Sequence, residues 1–76
     1  MTKEELIRMA AEALNDSPEN MEKCCKEVEE INGYYFWQNF RGGKSVMLNG
    51  SGERLKATSA VDFRRHLEAF LAGKRN

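Results

Sequence analysis

Five aromatic rings fall within the run Tyr34-Tyr35-Phe36-Trp37-Gln38-Asn39-Phe40, and this run most limits what the chain can fold into. Aromatic side chains favour the pleated, half-buried surface of a strand, and no helical period fits the run better than an extended one. Glycines punctuate the chain beyond it. Arg41-Gly42-Gly43-Lys44 reads as a turn and Ser45-Val46-Met47-Leu48-Asn49 as a second strand. Gly50-Ser51-Gly52 turns again, and Arg54-Leu55-Lys56-Ala57-Thr58 alternates polar and apolar as a half-buried third strand does. Two short turns of this kind imply an antiparallel meander.

Before Gly33 the period is helical. Thr2 and Glu5 stand at capping-box spacing, and Leu6, Ile7, Ala10, Ala13 and Leu14 recur as one apolar stripe until Asn15-Asp16 breaks it. Ser17-Pro18 restarts the pattern as N-cap and first helical residue. Met21, Cys24, Cys25, Val28 and Ile31 then form a second stripe, and Asn32-Gly33 supplies a left-handed stop. The last segment begins at Ser59, with Asp62 three residues on. Its stripe is Val61, Phe63, Leu67, Phe70 and Leu71, and Gly73 ends it. The expected fold is α+β in the order ααβββα: an N-terminal helical hairpin, a three-stranded antiparallel meander and a C-terminal helix packed on one face of the sheet. At 76 residues the chain holds one domain, 1–76, and a small core whose stability gains from association.

Strand parity divides the side chains between two faces. Val46 and Leu48 share one face of the second strand, Leu55 and Ala57 one face of the third, and this face is expected under the helices. The opposite face then carries Ser45, Met47 and Asn49 beside Arg54, Lys56 and Thr58. The aromatic strand is apolar on both sides, with Tyr34, Phe36 and Phe40 on one parity and Tyr35 and Trp37 on the other. Either set adds rings to the uncovered face. In one parity the candidate interaction face is Tyr35, Trp37, Arg41, Lys44, Met47, Arg54 and Lys56.

Charge is segregated as well. Residues 1–32 hold four cations against nine anions, a balance of −5, and residues 33–76 hold eight against three, a balance of +5. The net charge of zero argues against a polybasic binder acting through bulk charge. The basic half is suited to an anionic partner or to head-to-tail pairing of two copies.

The motifs that would carry catalysis are incomplete. Gly42-Gly43-Lys44-Ser45 lacks the earlier glycine of a phosphate loop, since Gln38 stands there, and a strand rather than a helix is expected after it. Cys24 and Cys25 are expected side by side on a helix, where they cannot share a metal or form a disulfide without distortion, and His66 is the only histidine. No cofactor or metal is expected, and the two thiols read as core residues of a reducing cytoplasm. His66 is expected partly exposed, just outside its apolar stripe, and no spacing joins it to Ser59 or Cys24 as a nucleophile. No run is apolar enough to span a membrane. The expectation is a non-catalytic cytoplasmic module that binds a protein partner, or itself as a homodimer, through the aromatic and basic face. Weak single-stranded nucleic-acid binding by base stacking on the same face is the alternative.

Overall fold

The computed structural model describes every residue except 59. Helix α1 spans Lys3–Leu14 and helix α2 Pro18–Lys23. Strand β1 is Cys25–Val28, followed by a short 3-10 turn at Glu29–Ile31. Strands β2, Gly33–Trp37, β3, Lys44–Asn49, and β4, Arg54–Thr58, complete an antiparallel sheet of order β1-β2-β3-β4. Helix α3, Phe63–Leu71, closes the chain. The class is α+β as expected, but the sheet has four strands, and helices cover both of its faces.

Local signals behave as their chemistry requires. Thr2 and Glu5 form the reciprocal capping box, and the Ser17 hydroxyl accepts the Asn20 amide. Asn15 adopts φ 54° at the end of α1. At the end of α3, Gly73 adopts φ 94°, and its amide and that of Lys74 reach back to the carbonyls of Phe70 and Ala69. The start of α3 differs from expectation. Asp62 is its N-cap, its carboxylate accepting the Arg65 amide, and the start expected at Ser59 lies outside the described residues.

The second helix is the main departure. The stripe from Met21 to Ile31 does not stay helical: the chain leaves α2 after Lys23 and runs as β1 against Phe36, Tyr35, Tyr34 and Gly33. The reason lies in where the stripe must go. Met21 joins the core between α1 and the sheet, whereas Val28 and Ile31 join the core beneath α3 on the other side. One helical face cannot serve both cores. An extended segment beside β2 crosses between them and satisfies its own backbone in the ladder. Cys24 is therefore buried at the helix end, and Cys25 lies half-buried in a strand rather than beside it on a helix.

Register corrects the faces. Phe36 pairs with Val46 and Tyr34 with Leu48, and on this side α1 and α2 pack Leu6, Ile7, Ala10, Ala11, Leu14 and Met21 against them. In β4, however, Lys56 is opposite Val46 and Arg54 opposite Leu48, while Leu55 is opposite Met47. Leu55 and Ala57 thus share the face of Met47 and Ser45, not that of Val46 and Leu48. This second face is covered by Phe63, Leu67 and Phe70 of α3.

Candidate interaction site

Of the seven candidate residues, the structure unites some and separates others. Tyr35, Trp37 and Met47 lie on the α3 face, whereas Arg54 and Lys56 stand on the α1 face with Val46 and Leu48. Lys44, opposite Thr58, belongs by register to the α1 face as well, although it borders a groove at this end of the sheet. Arg41 is exposed in the loop between β2 and β3. Met47 is fully buried under α3 and presents nothing to a partner.

Beside α3 the rings form a graded series. Trp37 stacks on Tyr35 at 5.7 Å and 26°, and Tyr35 makes T-shaped contacts with Phe63 at 4.9 Å and His66 at 5.6 Å. The Lys26 ammonium sits 3.7 Å from the centroid of Phe63. Trp37 ends the series and is half-buried. Together with Tyr35, Gln38, Lys44, Ser45 and Val61 it lines an open groove of about 260 Å³. Phe40 projects from the adjoining loop with 59% of its surface exposed.

Two residues not singled out by spacing shape this end of the molecule. Gln38 closes the β2–β3 loop by accepting the Lys44 amide at 2.9 Å, and its own amide donates to the Leu14 carbonyl at 3.0 Å and to Asp16 at 3.1 Å. The Ser17 amide, then Gln38 and Asn20, hold the Asp16 carboxyl below its ordinary range. Ser45, at the groove floor, meets His66 behind it. The His66 Nε2 is 2.6 Å from the Leu55 carbonyl, which only accepts, so Nε2 carries the proton and Nδ1 accepts the Ser45 hydroxyl at 3.2 Å. His66 is fully buried, contrary to the partly exposed position expected of it. Its approach to Ser45 depends on the packing of α3 across β3, and no pattern of spacing carries it.

Burial lowers the His66 pKa, opposed by its bond to the Leu55 carbonyl. The unfolded histidine titrates near 6.5, so acidification from neutral pH protonates the unfolded state before the native one. The contribution is complete above about pH 6.5 and is lost as pH falls through the lower native value, with a slope of at most about 1.4 kcal/mol per pH unit. Urea denaturation at intervals from pH 7.5 to pH 5 is expected to show this decline, and His66→Gln to flatten it. Equal slopes in both proteins would place the titration elsewhere.

Among the described residues no group of three His, Cys, Asp or Glu side chains is placed to hold a metal ion, and no helix is long and apolar enough to cross a membrane. Comparison with protein-family models, curated proteins and solved structures finds no match to this chain.

Proposed function

We propose that this chain is a small non-catalytic module that binds a protein partner through the Trp37 groove and the adjoining loop. The observation that carries this reading is the open groove lined by Trp37 and Tyr35 beside an exposed Phe40. A partner's apolar side chain fits between Trp37 and Val61, with Phe40 packing across it and Arg41 and Lys44 forming a polar rim. Aromatic and arginine side chains at a concave centre are the usual anchors of such contacts. Base stacking has less support. Tyr35 is occupied by Phe63 and His66, and Arg54 and Lys56 stand on the opposite face of the sheet from Trp37.

Selection from a displayed peptide library tests the reading. The expected binders carry an apolar anchor flanked by acidic residues, and Trp37→Ala or Phe40→Ala weakens them at least about tenfold. Binders indifferent to both substitutions would refute it. Concentration-dependent sedimentation of the free protein, lost in Phe40→Ala, would make the partner a second copy.

A further inference from the structure

The two edges of the sheet are finished differently. Strand β1 has four residues, with Lys26 and Glu27 exposed, a short edge of mixed charge that discourages pairing. Strand β4 is closed by Asn76. The Asn76 side-chain carbonyl accepts the Lys56 amide at 2.6 Å, and its side-chain NH2 donates to the Lys56 carbonyl at 3.1 Å. The Asn76 amide also donates to the Arg54 carbonyl at 3.3 Å, and the Asn76 main-chain carbonyl accepts from Arg54 Nε at 3.1 Å. A carboxamide that both accepts from and donates to one residue's backbone reproduces the hydrogen bonds of a neighbouring strand.

Beside this edge lies a basic strip. Arg54 and Lys56 share the face of Val46 and Leu48, and Lys44 stands opposite Thr58 on the same face. Among the described residues, Lys44, Arg54 and Lys56 have no Asp or Glu carboxylate at ion-pair distance; Arg54 Nε is held by the Asn76 main-chain oxygen, and the one side-chain ion pair at this end joins Arg75 to Glu53 at 3.8 Å.

We propose that the β4 edge is a docking site for an extended acidic segment of another protein, which adds as a fifth strand and displaces Asn76. Acidic side chains at alternate positions of such a strand lie directly across from Arg54 and Lys56, within about 5.5 Å. Arg75 need not move, because it is held separately, over the Phe70 ring at 3.7 Å and by the Phe70 carbonyl at 2.8 Å. A second copy is a poor occupant of this edge. A two-fold axis normal to the sheet keeps each face continuous, so paired residues must have the same parity. The registers that overlap β4 most fully then set Lys56 against its own equivalent, or Arg54 against Lys56, and like charges repel.

The test uses a fluorescein-labelled octapeptide of alternating threonine and glutamate, with a threonine–lysine octapeptide as control. Anisotropy is read against the wild-type protein, Asn76→Ala and the double variant Arg54→Glu/Lys56→Glu. The acidic peptide is expected to bind and the basic one not to. Asn76→Ala, which loses the two side-chain bonds to the Lys56 backbone and keeps the main-chain contacts to Arg54, is expected to bind about threefold tighter or better, and the double variant at least about tenfold weaker. Amide shifts in the bound wild-type protein should centre on Lys56. Equal binding of the two peptides, or shifts centred elsewhere, would overturn the proposal. So would an Asn76→Ala variant of unchanged circular dichroism that binds no tighter. Dimerisation of Asn76→Ala without peptide would overturn it in favour of a second copy.

Discussion

Phe70→Ala is expected to cost about 3–5 kcal/mol, a large part of the stability available to a domain of this size. Phe70 is 3% exposed and packs with Met47, Val28 and Ile31 where α3 meets the sheet. Truncation to Ala removes apolar surface from water-free contact and leaves a cavity that the sheet, fixed by its ladders, cannot close. The loss extends beyond the side chain. The Phe70 carbonyl and ring also hold Arg75, so the tail that closes β4 loses part of its anchor. Leu71, next in sequence and 57% exposed, is the control, and Leu71→Ala is expected to change stability by less than about 0.5 kcal/mol. Urea denaturation of both variants decides the matter. A loss below about 1 kcal/mol for Phe70→Ala would mean that α3 is not seated on the sheet over Met47.

Gly33→Ala is expected to cost about 3 kcal/mol or to prevent folding, through a different cause. Gly33 begins β2 and lies opposite Asn49, and a Cβ there would strike the carbonyl of Leu48 and the Cα of Asn49. These are backbone atoms of β3, an interior strand of the sheet. They cannot yield without opening a ladder that also holds Met47 and Leu48 in the two cores. The informative comparison is Gly42→Ala. At Gly42 nothing lies near the added methyl, but φ is +79°, so the cost is strain alone, about 1–2 kcal/mol. Thermal denaturation should rank Gly33→Ala well below Gly42→Ala. The reverse order would show that β2 and β3 approach less closely at this point.

Gly33 also marks the boundary between what the sequence reveals and what it hides. The pair Asn32-Gly33 reads as a helix stop with a left-handed residue. The left-handed residue is Asn32, at φ 52°, and it ends a single 3-10 turn, not a long helix. Gly33 is needed for close approach between strands, a demand that comes from Leu48, far along the chain, and leaves no local trace. The same limit explains β1. The spacing of Met21, Cys24, Cys25, Val28 and Ile31 is a valid helical stripe, and nothing nearby says that its two ends belong to cores on opposite sides of a sheet.

The candidate surface divides in the same way. Alternation correctly grouped Ser45 with Met47 and Val46 with Leu48, because parity within one strand is a property of the backbone. Joining those groups to β4 required the register across a turn, and a shift of one residue there reverses every assignment. Arg54 and Lys56 therefore fell on the face opposite Trp37. His66 and Gln38 were beyond reach for a related reason: each acts through partners distant in sequence, Ser45 and Leu55 for the one, Leu14 and Asp16 for the other.

By itself the sequence determined whatever depends on a few consecutive residues: the capping box at Thr2, the helix start at Ser17-Pro18, the glycine stop at Gly73, the meander between Tyr34 and Thr58 and the α+β class. Tertiary structure alone decided that Cys25–Val28 is a strand, that α3 seals Met47 on the face opposite α1, and that Asn76 closes the last edge. Caps and turns are satisfied within a single turn of chain, where spacing is visible. The choice of face, edge and register is made by burial and backbone pairing between distant segments, and those energies exceed any local preference that would have announced them.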